Sequence, residues 1–346
     1  MFFELNVPVQ KQSSKKGKHS QQEAFSTVEM NSMESRVDLL NLTEKIEVGY
    51  TVIAFSQTVP KRVDPKTHVN VLDSLFARLR PRAGVLYLKR LNIVLDQDSE
   101  KGFGLINANV PLFNSYDLLA LVPTTQTTFS LACLTHSLPS QLTAHVISLP
   151  LTLPRLPYHL KHTLVRTAIK NGCVFEINYV GALGGEQDAT LVDANAAESG
   201  PSAKRNWWAA MRELVRVTKG KGLIISGGVV VEADIRPPRD VANLIAISGL
   251  AQDAAHDAST KSPKSLVARA QTRKTYRAVL SEPKVVFPED WVASHSTAAE
   301  TSQNSELNNP AQKRPRQDSE PSQVAAPLAG TSSKKKKRKH NQQANA

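Results

Sequence analysis

The chain has 346 residues, 40% hydrophobic and 21% charged, with only two cysteines, Cys133 and Cys173. A chain of that length can bury a large core without cross-links, and its cysteine usage fits a reducing compartment and excludes a four-cysteine zinc ribbon. The 43 Lys and Arg against 31 Asp and Glu leave a net charge of +12, which favours an anionic partner such as nucleic acid.

In chain order, Phe2-Phe3-Glu4-Leu5-Asn6-Val7 reads as a short strand, without the basic flank and apolar run of a secretory signal. Residues 10–36 are rich in Gln, Ser and Lys with no sustained apolar period, and read as a disordered insertion. Residues 37–42 resume an apolar pattern that opens a short helix before Gly49, and residues 51–55 are strongly strand-like. Further strands are expected at 84–95, 118–122, 144–149, 174–179 and 222–226, all rich in Val, Ile or Leu. Helical periods lie between them at 127–136, at 160–169 and at 203–218, where Trp207, Trp208, Met211, Leu214 and Val215 form one stripe. A last helix is expected at 240–248, with Asp240 as its N-cap and Gly249 just past its end. The apolar runs are too short, and too broken by proline, to span a membrane, so a soluble intracellular chain with no membrane partner is expected.

Seven strands with interposed helices predict an α/β fold with a parallel sheet covered on both faces. The first strand is followed by Pro8 rather than a glycine-rich dinucleotide turn, and about 250 core residues suit a closed (β/α) barrel better than an open sheet. The expected organisation is one barrel domain over residues 1–9 and 49–290, the insertion at 10–36, and a disordered basic tail at 291–346. From Glu300 onward that tail carries nine basic residues against four acidic ones.

Several local patterns invite a chemical reading. His159 and His162 have helical spacing for a metal but no third ligand nearby, and read as solvated surface residues. Glu4-Leu5-Asn6 stands where a metal-dependent phosphoesterase barrel would carry His-x-His, which counts against a metallohydrolase. The glycines at 181, 184 and 185 lack the Gly-Lys-Ser/Thr of a phosphate loop, and read as a variable surface loop. Glu176 alternates with Phe175 and Ile177 in an apolar strand, so it faces the other way and must be paired if buried; a structural ion pair is favoured over a catalytic acid. Ser226-Gly227-Gly228 ends a strand, and Arg236-Pro237-Pro238-Arg239-Asp240 follows at a helix start, a setting that suits a phosphate. An Arg236–Asp240 pair that pins the loop is an equal alternative.

Blocks in a fixed order carry a resemblance. They are Tyr116-Asp117-Leu118-Leu119-Ala120-Leu121-Val122-Pro123-Thr124 followed by Phe129-Ser130-Leu131-Ala132-Cys133; Leu156-Pro157-Tyr158-His159-Leu160-Lys161; Ala168-Ile169-Lys170-Asn171-Gly172-Cys173-Val174-Phe175-Glu176-Ile177; Ile224-Ile225-Ser226; Ile235-Arg236-Pro237-Pro238-Arg239-Asp240-Val241-Ala242-Asn243-Leu244; and Ala270-Gln271-Thr272-Arg273-Lys274. Together they resemble the TIM-barrel protein subunit of eukaryotic and archaeal ribonuclease P, shared with ribonuclease MRP.

The resemblance implies a non-catalytic subunit of a ribonucleoprotein. Such a subunit binds and organises the RNA that removes the 5′ leader of precursor tRNA, with rRNA processing as the corresponding MRP role. No cofactor is then expected on this chain, because Mg2+ sits on the RNA subunit. The expected partners are that RNA, precursor tRNA indirectly, and other protein subunits including a small ferredoxin-like one. Arg236, Arg239, Lys89, Arg90, Arg273 and Lys274 are the candidate RNA contacts, and Glu176, Asp240 and Asn243 are candidate structural residues. Aromatic residues are only 5% of the chain, so contacts to phosphates and RNA shape are expected over base stacking. The tail clusters Lys313, Arg314 and Arg316, and Lys334, Lys335, Lys336, Lys337, Arg338 and Lys339, are candidate signals for the nucleus and nucleolus. Two other readings stand beside this one: a metal-dependent phosphoesterase of the related barrel family, and a barrel enzyme that grips a small phosphorylated metabolite with Arg236 and the Ser226-Gly227-Gly228 turn.

Overall fold

The computed structural model describes residues 1–9, 25–41, 49–185 and 200–274, so the tail and its basic clusters lie outside the described residues. Seven strands run parallel and hydrogen-bond to one another in chain order: β1 (Phe2–Pro8), β2 (Tyr50–Pro60), β3 (Leu86–Leu95), β4 (Leu118–Pro123), β5 (Val146–Ser148), β6 (Val174–Asn178) and β7 (Leu223–Ser226). Among the described residues ten α-helices lie between or after them: α1 (Thr27–Asn41), α2 (Val71–Phe76), α3 (Val110–Asn114), α4 (Gln126–Leu134), α5 (His162–Lys170), α6 (Val180–Leu183), α7 (Gly200–Thr218), α8 (Pro238–Ile247), α9 (Gln252–Ser259) and α10 (Lys261–Lys274).

The sheet curls into a nearly closed barrel. β1 and β7 share no regular ladder, and are joined by the Gly228 N–H donating to the Asn6 carbonyl (3.0 Å). The Gly227 N–H also donates to both oxygens of the Glu4 carboxylate, at 2.8 and 2.9 Å. An irregularity in β1 between Glu4 and Val7 fits this seam, since a bulge re-aims side chains. It lets Glu4 face the seam while Asn6 reaches Asn178 across the barrel mouth. Gly228 has φ +62, and a Cβ there would crowd Asn178, so only glycine closes this corner easily.

Strands buried on both faces read as near-continuous apolar runs, and the two faces fill two cores. Phe3, Leu5, Val52, Ala54, Leu88, Leu118, Ala120, Val146, Val174 and Ile224 fill the barrel's interior, joined by Leu266, Val267 and Ala270 of α10. The alternate residues, such as Phe55, Ile93, Leu121, Ile147, Phe175 and Ile225, pack outward. The helix faces there include Phe129, Val165, Trp207, Met211, Leu214 and Ile245. The Trp207 indole N–H finds the Asn178 carbonyl at 2.8 Å, which satisfies the polar end of a fully buried ring.

Two expectations need correction. The irregular stretch expected through residue 36 is partly helical: α1 begins at Thr27 and buries Met30, Met33, Val37 and Leu40 against the barrel. Their spacing of three, four and three is an amphipathic stripe hidden among Glu, Ser and Asn, and methionine supplies half of it. Ser26 and Glu29 cap the helix reciprocally, with the Glu29 N–H donating to Ser26 Oγ and the Ser26 N–H to Glu29 Oε2 (2.8 Å). The remainder of the expected insertion, residues 10–24, lies outside the described residues. Asp240 is not the N-cap of α8: the helix starts at Pro238 with Pro237 as its cap, because proline's missing N–H and fixed φ suit the first turn. Gly249, at φ 103, follows the end of that helix as expected.

Candidate functional site at the barrel mouth

In (β/α) barrels the side chains near the C-terminal ends of the strands line the mouth where chemistry takes place. Here the alternation that puts Leu88 inside β3 also puts Arg90 and Asn92 inside. On the other strands it places Ser56, Ser148, Glu176, Asn178 and Ser226 around them. Arg90 and Glu176 are both 0% exposed. The Arg90 guanidinium donates to both Glu176 oxygens, with Nη2 at 2.6 Å from Oε2. Two more of its five donors are met by the Leu5 carbonyl (2.8 Å) and Asn92 Oδ1 (2.7 Å).

The network extends outward without a gap. Ser226 Oγ lies within hydrogen-bond reach of Glu176 Oε1 (2.6 Å) and Asn178 Oδ1 (2.9 Å). Asn6 Nδ2 donates to that same Asn178 oxygen (3.1 Å), and Ser56 Oγ donates to Asn6 Oδ1 (2.7 Å). Burial pushes the Glu176 carboxyl up, but Arg90, helped by Ser148 and Ser226, outweighs it and holds the carboxyl below its ordinary range. A bidentate, fully hydrogen-bonded pair of this kind fixes geometry. It holds Glu176 as a paired carboxylate, the arrangement that a structural ion pair requires.

A second polar spot lies at the β1–β7 seam. Glu4, Asn6, Val7, Arg36, Leu40, Tyr179, Gly227, Val229 and Ile235 line a cavity of about 10 Å3, room for one water. Burial raises the Glu4 carboxyl to about 7, against the lowering effect of the Gly227 and Asn6 N–H groups. Arg36 reaches in from α1, and its Nη1 and Nη2 donate to the carbonyls of Pro8 (3.0 Å) and Val229 (2.5 Å). Among the described residues no three His, Cys, Asp or Glu side chains come together as a metal-ligand set. His159 and His162 are exposed, as expected, and no described helix is long and apolar enough to cross a membrane.

The structure scatters the six candidate RNA contacts. Arg90 is sealed inside the barrel and is not available to an outside phosphate. Arg273, 3% exposed, is a buried clamp: it donates to the carbonyls of Gln141 (3.0 Å) and Tyr116 (2.7 Å), tying α10 to the loops before β5 and β4. Both corrections have one cause, since alternation and helix period put these arginines on inward faces that the charge count does not see. Lys89 pairs with Asp73 (2.5 Å) over the Phe76 ring, and Lys274 pairs with Asp117 (2.7 Å). Arg236 is half-buried beyond β7, where its Nη1 donates to the carbonyls of Ala233 (2.7 Å) and Ile235 (2.8 Å). No Arg236–Asp240 ion pair forms among the described residues, and Arg239, Asp240 and Asn243 are exposed on α8. The side chains of Asp240 and Asn243 enter no ion pair and no side-chain hydrogen bond among the described residues. Arg236 and Arg239 thus lie beyond the end of β7, whereas Lys89 and Lys274 lie near the start of β3 and the entry to β4.

One signal escaped the sequence reading. Between Asp117 and Glu176 the chain contains no acidic residue, yet Arg155, Lys161, Arg166 and Lys170 all lie there and all are exposed.

A family model described as "RNase P subunit p30" matches residues 1–275. The mouse "Ribonuclease P protein subunit p30" is 26% identical over 275 residues, 77% of this chain and 93% of that protein. The budding yeast "Ribonuclease P/MRP protein subunit RPP1" is 25% identical over 258 residues, covering 73% and 75% of the two chains. The Arabidopsis thaliana "Protein GAMETOPHYTE DEFECTIVE 1" is 31% identical over 171 residues, 49% of this chain, and the chain spans only 26% of that longer protein.

Proposed function

The chain belongs to the family of ribonuclease P p30 protein subunits, and from that premise we propose that it binds and organises the RNA of the ribonuclease P particle for removal of the 5′ leader from precursor tRNA. The observation that carries this reading is the family match over residues 1–275, which takes in the whole barrel. The Arg90–Glu176 pair supports its non-catalytic half, because it fills the barrel mouth with groups whose hydrogen bonds are already committed. In this reading the RNA holds the Mg2+ ions and cleaves the phosphodiester, while the protein supplies phosphate contacts and shape.

The partners are the ribonuclease P RNA, precursor tRNA through that RNA, and other protein subunits including a small ferredoxin-like one. The name of the yeast relative supports a second particle, ribonuclease MRP, with rRNA as its substrate. Nuclear and nucleolar residence would be directed by the tail clusters at Lys313–Arg316 and Lys334–Lys339, which exposed import signals of this composition can provide.

The test is purification of the tagged full chain from its own cells, followed by sequencing of the bound RNA. Enrichment of the ribonuclease P RNA is the expected result. Recovery without RNA, together with metal-stimulated cleavage by the isolated chain, would overturn the reading in favour of a self-sufficient phosphoesterase.

A further inference from the structure

Resting on that reading, we propose that the outer surface of α5 and the loop leading into it is a phosphate-docking flank for RNA, formed by Arg155, His159, Lys161, His162, Arg166 and Lys170. The inference starts from what the flank lacks. No carboxylate stands between Asp117 and Glu176, and Glu176 is sealed inside the barrel on Arg90, so no acidic side chain from β4, α4, β5 or α5 reaches solvent. Elsewhere on the surface several exposed or half-exposed cations are neutralised at close range: Lys61 by Asp98, Arg82 by Glu34 and Asp38, Lys89 by Asp73, and Lys274 by Asp117. Arg155, Lys161, Arg166 and Lys170 enter no ion pair and no side-chain hydrogen bond among the described residues.

Their arrangement is set by the helix. Val165 and Ala168 bury one face of α5, which leaves His162, Arg166 and Lys170 at four-residue spacing as one exposed ridge. Lys161 stands at the N-cap, and His159 and Arg155 precede it, so the cations continue past the helix start. The fold gains nothing from this layout. Arg166 and Lys170 are like charges one turn apart, and Lys161 sits at the end of the helix dipole that prefers an anion, with no acidic residue in the first turn. A row of unpaired cations that the helix itself disfavours is what a polyanion neutralises. The neighbouring α4 presents Thr127 and Ser130, which are neutral, while at its start the exposed Glu100 accepts from Thr125 Oγ1 (2.8 Å).

The experiment uses the full chain and the ribonuclease P RNA from the same cells, with affinity measured across a series of salt concentrations. The flank variant carries Arg155→Gln, Lys161→Gln, Arg166→Gln and Lys170→Gln. The control carries Arg62→Gln, Lys66→Gln, Arg80→Gln and Lys101→Gln, four exposed positions between Met1 and Asp117, where acidic and basic residues balance among the described residues. The flank variant is expected to lose at least about tenfold in affinity at 0.1 M salt and to flatten the log–log salt slope by about 0.7 to 0.9 for each phosphate deprived of its cation, with the control near the parent. A charge-conserving variant, Arg155→Lys with Arg166→Lys, should retain the parental slope. Equal, small effects of the flank and control variants would overturn the flank while leaving RNA binding intact. Parent protein that fails to bind the RNA would overturn the proposed function along with it. A flank variant that keeps RNA but loses the particle's other protein subunits would reassign the surface to protein docking and likewise overturn the inference.

Discussion

From Met1 to Asp117 the described residues carry ten Lys and Arg and ten Asp and Glu, whereas from Leu118 to Lys221 they carry ten Lys and Arg and only two acids. In the first region charge builds structure. Arg82 ties α1 to the chain before β3 through Glu34 and Asp38 (2.6 Å each), Lys61 holds the turn after β2 through Asp98, and Arg90 crosses the barrel to Glu176. In the second region Glu176 answers Arg90, and Glu213 pairs with Arg216 on α7 (2.6 Å), and the other cations are exposed and enter no ion pair among the described residues. The same residue types therefore play opposite parts: inside, an arginine is a strut whose loss should be felt by the fold; on the α5 flank, it should be felt only by a partner.

The comparison breaks first at the barrel's centre. Glu176→Ala leaves Arg90 charged and unpaired in a sealed interior and is expected to cost about 3–5 kcal/mol in urea unfolding. A loss below about 1 kcal/mol would mean the interior is wetter and less committed than its hydrogen bonds indicate. A somewhat smaller effect is expected at α1, where Met33→Ala should cost about 2–3 kcal/mol if the helix is a true part of the core.

The two buried carboxylates should also differ in sign with pH. Glu4 is raised from its ordinary 4.5 to about 7 in the fold, so the stability its protonated form provides is complete below about 4.5 and lost as the pH rises through about 7. Glu176 is lowered, so its contribution is present above the ordinary carboxylate range and lost as the pH falls through its folded value. Thermal unfolding of Glu4→Gln, which keeps an acceptor for the Gly227 N–H, should remove the decline between pH 4.5 and 7. An unchanged decline would assign it elsewhere. The smallest effect belongs to the flank: Arg166→Gln with Lys170→Gln should shift stability by no more than about 0.5 kcal/mol.

The sequence announced the barrel because seven strands buried on both faces leave long Val, Ile and Leu runs, and because helical stripes such as Trp207, Met211 and Leu214 separate them. It announced the pairing of Glu176 as well, since a carboxylate alternating within an apolar strand must be paired. The helix α1 was less visible, although its Ser26–Glu29 capping box and its three-and-four spaced apolar residues are written in the chain, because a polar composition drew attention away from spacing. The candidate RNA contacts fared worst. Whether an arginine is exposed depends on strand parity and helix phase, so Arg90 and Arg273 look from composition like any other cations, yet they are clamps. The acid-free run that frames the α5 flank could have been read directly, since it is a count of residues that are missing.

In the proposed role the barrel mouth is architecture and the chemistry resides in the RNA. This role is tested most directly by replacing the buried pair with apolar residues of similar volume, Arg90→Met with Glu176→Leu, a change that buried ion pairs often tolerate. The particle is then reconstituted with the altered full chain, and single-turnover cleavage of precursor tRNA is measured. The expected result is an assembled particle that cleaves within about twofold of the parental rate. A particle that assembles and binds precursor tRNA normally, yet cleaves a hundredfold or more slowly, as loss of a proton-transfer group would cause, would contradict it.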